Sequence, residues 1–264
     1  MRVARFVLSI LLVFVSSPRL NSQQSATAPQ RDPQATALLQ ASVRAMGGRV
    51  PSDSVAIGSV VVVAGSLTTS GTVRILTRGT DQTLEQLSLP QSTVATIYSR
   101  GTANALTNGT PQSLSLERTA SCQSAAFPLP FLAAALTNSD EAIQYVAFET
   151  LGQTQVQHIR VWNTFNSNSS LQFLSEFTST DIWFDASTSL PRIISFIRRD
   201  GGGASPKTLL TVSYSDFQAT SGIFYPKSTQ ISINDTPWAT TIIQSVSFNT
   251  GLTDADFPLT QGAN

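Results

Sequence analysis

Cysteine and histidine are almost absent from the 264-residue chain, which has one of each, Cys122 and His158. A single cysteine excludes an intramolecular disulfide and any multi-cysteine metal or iron–sulfur site. Charge is also scarce: 12% of residues are Asp, Glu, Lys or Arg, about half the share of an ordinary soluble domain. The 16 basic groups equal the 16 acidic ones, so no basic field exists to hold nucleic acid. Long apolar runs are missing too, since residues 6–15 (FVLSILLVFV) fall short of the roughly 20 residues that span a bilayer. What the chain does have is 41% hydrophobic residues, enough to close a core. Ser and Thr supply 66 positions and favour strands over helices.

The N-terminus has the shape of a secretory signal peptide. Arg2 and Arg5 precede the ten-residue apolar run, and Ser16, Ser17 and Pro18 end it. Residues 1–22 are expected to be removed and 23–31 to form a disordered leader, with cleavage after Ser22 or Ala26. Losing Arg2, Arg5 and Arg19 leaves 13 basic against 16 acidic groups. The expected product is soluble in the periplasm or secreted, with no transmembrane span.

The period of the apolar residues then assigns elements. Leu39, Val43 and Met46 recur at helical spacing behind Asp32 as cap and Pro33 at the first position, and Gly47–Gly48 stops the turn, so 33–46 is predicted helical. From residue 55 the pattern alternates: strands are predicted at 55–66, 71–77, 83–89, 93–99, weakly at 114–116, and at 143–149, 155–162, 181–185, 192–198, 209–217, 223–233 and 239–248. Short apolar helices interrupt at 128–137 and 169–177. The expected fold class is α+β: an antiparallel, partly closed half-barrel of about eleven strands with three short covering helices.

Signals for catalysis are few. There is no G-x-S-x-G elbow, and His158 sits inside the strand 155–162, read as a solvated or hydrogen-bonded residue whose replacement by alanine shifts stability by no more than about 1 kcal/mol. The acid pairs Asp181/Asp185 and Asp254/Asp256 lie near turns, where carboxylates cap backbone N–H groups. Cys122 has no basic neighbour closer than Arg118, and the Gly201–Gly203 run lacks the Lys-Ser/Thr of a phosphate loop. No catalytic residue, metal or cofactor is expected, and the chain is read as a non-enzyme.

The ending resembles a known superfamily. Tyr214, Asp216 and Phe217 close a strand, Tyr225 and Pro226 begin the next, and Asn249, Gly251, Leu252, Asp254 and Phe257 follow the last. Upstream, Asp185 closes one strand and Leu190-Pro191 opens another. This ordered set resembles the outer-membrane lipoprotein carrier and lipoprotein-sorting (LolA-like) superfamily. The segment 72–90 lacks that family's Pro-Gly-x-Phe-Arg strand, so no ligand-release arginine is assigned to Arg74 or Arg78. The resemblance implies one half-barrel domain over 32–264, with helices as a lid above an apolar cavity. It also implies binding of an acyl chain or another lipid-like hydrophobic molecule; apart from the resemblance, envelope proteins are expected as further partners. The residues expected at the ligand are Phe131, Leu132 and Leu136 in the lid, and Ile194, Phe196, Leu210, Val212 and Tyr214 on the sheet. The other reading of the same pattern is a structural or interaction domain of the cell envelope whose core is filled by its own side chains.

Overall fold

A computed structural model describes residues 29–121, 126–199 and 205–259. The expected signal peptide, most of the leader, Cys122 and Gly201–Gly203 lie outside the described residues.

The first helix, α1 (Pro33–Ala45), begins as its sequence dictates. Asp32 Oδ1 accepts the N–H of Ala35 at 3.0 Å, satisfying an orphan donor of the first turn. The helix ends where Gly47 takes φ +117°. A Cβ at Gly47 would lie 2.6 Å from the carbonyl oxygen of Gly222, so this glycine lets the helix end touch the sheet.

Thirteen antiparallel strands form one open sheet. The chain first runs outward through β1 (Asp53–Ala64), β2 (Leu67–Arg78), β3 (Gln82–Leu89), β4 (Ser92–Ser99), β5 (Thr102–Thr107) and β6 (Thr110–Ser113). Helices α2 (Leu116–Ala120) and α3 (Pro128–Thr137) then lead to the opposite edge, β7 (Glu141–Leu151). From there β8 (Thr154–Asn163), β9 (Thr180–Asp185), β10 (Pro191–Arg198), β11 (Thr208–Thr220), β12 (Ile223–Ile233) and β13 (Thr236–Phe248) return to the middle. There β13 pairs with β1, Ser54 opposite Phe248 and Val62 opposite Ala239. Two meanders are thus joined along β1–β13, where a single meander was expected.

Three further differences concern local elements. Two strands, β5 and β6, occupy a stretch to which no element was assigned, giving thirteen strands instead of about eleven. Their hairpins use Arg100-Gly101 and Asn108-Gly109, all at positive φ, the geometry of tight two-residue turns. Leu116, read as part of a weak strand, opens α2 behind the Ser115 side chain, which accepts the Arg118 N–H. The expected helix at 169–177 is a 3-10 turn, Ser169–Leu174, followed by the single α-helical turn α4 (Ser175–Thr178). The described residues therefore hold four α-helices where three were expected.

The helices pack on one face. Leu39 of α1, Met46 just past its end, and Leu129 and Leu132 of α3 share a buried cluster with Ile143, Ile159, Ile182, Phe184, Ile194 and Phe196. Neighbouring strands β1, β2, β12 and β13 bury a second cluster around Phe127. On the opposite face, Phe257 and Leu252 of the C-terminal segment cover Leu76, Leu84 and Ile97. Asp53 ties that segment down: its carboxylate accepts the N–H groups of Gly251 at 2.9 Å and Leu252 at 3.2 Å, and the hydroxyl of Thr250. No helix among the described residues is long and apolar enough to cross a membrane.

Candidate functional site

A cavity of about 380 Å³ opens beneath α2, α3 and the 169–178 segment. Its apolar wall is built by Leu116, Phe131, Phe165, Leu171 and Leu174, and its polar side by Thr83, Tyr98, Asn138, Glu141 and Asn163. Thr83 and Tyr98 come from β3 and β4, while Glu141 and Asn163 come from β7 and β8, toward the other end of the sheet order. Strands so far apart reach one cavity only because the sheet curls, which makes the open sheet a half-barrel. Leu116 is exposed while lining the space, so the cavity has a mouth there.

Glu141 is the unusual group in this wall. Only 7% of its surface is exposed, and Asn138 Nδ2 donates to its Oε2 at 3.3 Å. Burial, opposed by the charge of Arg31 and reinforced by that of Asp140, pushes its carboxyl up to about 7. Arg31 is committed elsewhere: its guanidinium donates to the carbonyls of Ala135 at 2.8 Å and Leu136 at 3.0 Å, in the last turn of α3. Glu141 was not singled out from the sequence, where the strand was expected to begin only at Ile143. Its alternation with Ile143 and Tyr145 was the available signal, since positions 141, 143 and 145 share the face that packs under the helices.

The residues expected at the ligand divide. Phe131 lines the cavity. Leu132, Ile194, Phe196, Leu210, Val212 and Tyr214 are buried together in the cluster beneath α1 and α3, with Leu136 packed against its margin. The expected shared facing of the sheet residues is present, yet the space above those side chains is filled by Leu39, Met46 and Leu129. The open volume lies beside this cluster and not over it.

The opposite face carries other chemistry. A depression of about 460 Å³ is lined by Ser213, Ser215, Ser228, Gln230, Thr240 and Arg192 together with Leu151, Val156, Ile193 and the expected ligand residue Tyr214. Near it, His158 donates or accepts at both ring nitrogens, 2.8 Å from Glu149 and 2.8 Å from Asp181. Arg160 completes the group with two bonds to Asp181 at 2.9 and 3.0 Å. His158 is 7% exposed: hydrogen-bonded, as one sequence reading held, but too buried for an ordinary surface residue. Asp185 caps its turn by accepting the N–H groups of Ser187 and Thr188, and Asp256 forms a capping box with Thr253. Asp254 instead binds Arg78, Arg100 and Gln82 side chains.

No protein-family model and no curated protein matches the sequence. Solved structures do match in three dimensions. The chain is similar to an outer membrane lipoprotein-sorting protein domain from Vibrio parahaemolyticus, at 13% identity and TM-score 0.56, over 85% of this chain and 96% of that one. It is also similar to a LolA superfamily protein from Nitrosomonas europaea, at 12% identity and TM-score 0.54, over 85% and 97%. The fold is LolA-like. A DUF1329 family protein from Desulfovibrio piger aligns comparably, at 12% identity and TM-score 0.54, over 88% and 98%. Part of the recognisable motif in 214–257 is backbone geometry that few residues tolerate. Asp216 and Asn249, for example, both take positive φ.

Proposed function

We propose that the chain is an extracytoplasmic, non-enzymatic binding or carrier protein for a lipid-like ligand held in the cavity beneath α2, α3 and the 169–178 segment. One observation carries the reading: the cavity is of ligand size and its inner surface is mostly apolar side chains with a few polar groups on one side. The names of the similar structures, a lipoprotein-sorting domain among them, support it. The signal-peptide pattern of residues 1–22 supports location in the periplasm or outside the cell, with residues 32–264 acting as one unit. In this reading Phe131 touches the ligand, and Ile194, Phe196, Leu210, Val212 and Tyr214 form the bed on which Leu132 and Leu136 of α3 rest, reached only by a chain that lifts α3.

The test is direct. The folded protein purified from its native compartment is extracted and analysed by mass spectrometry for lipids, and the stripped protein is titrated with Nile red. Leu171→Trp, which fills the space, is expected to remove dye binding while leaving the thermal midpoint little changed. A folded native protein that yields no lipid and binds no dye would establish the alternative, an envelope interaction domain with a self-filled core.

A further inference from the structure

The cavity wall contains a carboxylate with too few partners. Glu141 offers two oxygens and about four acceptor positions, of which one hydrogen bond, from Asn138, is used among the described residues. Among the described residues no cation lies within 4 Å of it, because Arg31 is turned to the carbonyls ending α3. The other charge beside it is Asp140, held by the backbone N–H of Ser167. Next to Glu141 two carboxylates and the carbonyl end of α3 stand against one guanidinium, while Arg118 of the neighbouring α2 acts on the buried Glu85 of β3. A fatty-acid carboxylate or a phosphate would meet repulsion here. Three aromatic rings, Tyr98, Phe131 and Phe165, line the same space, and ring faces attract cations.

Resting on the cavity reading above, the geometry points to an amphiphile with a cationic, amine-type head, its ammonium facing Glu141 and its apolar tail running between Phe131, Leu171 and Leu174. Such a head supplies the missing partner of Glu141 without asking Arg31 to leave α3. The buried carboxyl ionises near neutrality in the empty protein. Bound cation favours the charged form, so affinity rises with pH through that range.

The experiment displaces Nile red with three ten-carbon compounds: decylammonium, decanoate and 1-decanol. At pH 8.5 the ammonium compound is expected to bind on the order of ten-fold more tightly than the other two, and the preference is expected to shrink at pH 5.5. Glu141→Gln, which keeps the shape, should bring the ammonium compound to the level of decanol at both pH values. The pH comparison uses the unaltered chain, so it stands even if the variant folds poorly. Equal binding of all three compounds, or a preference that survives Glu141→Gln in a folded protein, overturns the cationic head and leaves the cavity reading intact. No displacement by any of them overturns both.

Discussion

His158 lies stacked on Trp183, ring centroids 4.2 Å apart and planes 21° from parallel, while a carboxylate approaches each of its nitrogens. Two acceptors call for two donors, so the pair of carboxylates favours the imidazolium form. Burial alone would lower its pKa, but the hydrogen bonds and charges of Asp181 and Glu149 outweigh this and raise it above 6.5. His158→Gln is therefore expected to cost about 2–3 kcal/mol at pH 5.5. A raised folded pKa means that this contribution is complete below pH 6.5 and lost as pH climbs through the folded value. Thermal midpoints of the two proteins between pH 5 and 9 should converge as pH rises. Because Glu141 titrates in both, it cancels in the difference, and a constant gap would show that the imidazolium contributes nothing.

Asp53 titrates in the other direction. Burial would raise its pKa, yet the hydrogen bonds from Thr250, Gly251 and Leu252 prevail and hold it below 3.8. Its contribution is present above that value and disappears as pH falls through the lowered one. Asp53→Asn is expected to lose about 2 kcal/mol at pH 7 and to speed amide exchange in the segment 252–257. Unchanged exchange there would mean that the cover of Leu76 and Ile97 holds without this anchor.

Gly58 sits where the β1–β13 register shifts after Ile57. A Cβ there would lie 2.2 Å from the carbonyl oxygen of Ile242, a backbone atom that cannot step aside. Gly58→Ala is expected to destabilise by about 2–4 kcal/mol, read by urea unfolding. A loss below about 0.5 kcal/mol would mean the bulge slips freely.

Phe196, Thr211 and Phe131 separate packing from binding. Phe196→Glu puts a carboxylate in the filled cluster and should unfold the protein or cost several kcal/mol. Thr211→Glu, on the other face of its strand, should cost less than about 1 kcal/mol. Phe131→Glu should keep the fold and lose Nile red. Unfolding by Phe131→Glu together with tolerance of Phe196→Glu would reverse the assignment of cavity and core.

What could be read from the sequence depended on range. The Asp32 cap, the Gly47 stop and the alternation in β11 are settled by neighbours a few residues away, and they are legible. Asn108-Gly109 was a readable hairpin signal hidden by its flanks, because β6 holds no large apolar residue and reads as loop. The pairing of Ser54 with Phe248 and the placing of Tyr98 and Glu141 on one cavity depend on the curl of the whole sheet, which no local window contains. For that reason the facing of Ile194, Phe196, Leu210 and Val212 was foreseeable, but whether side chains or empty space stood above them was not.

The seam between β1 and β13 also sets an order in time. As the chain is made or exported N-terminus first, β1 can zip to β2 at once, yet its other side waits for residues 236–248. Through that interval Ile57, Val61 and Val62 stand on a naked strand edge, the kind that recruits strands from other chains. Closing a loop of this length is slow relative to hairpin formation. Truncation before β13 leaves that edge open permanently, and a chaperone that shields extended apolar strands would find its substrate in this intermediate.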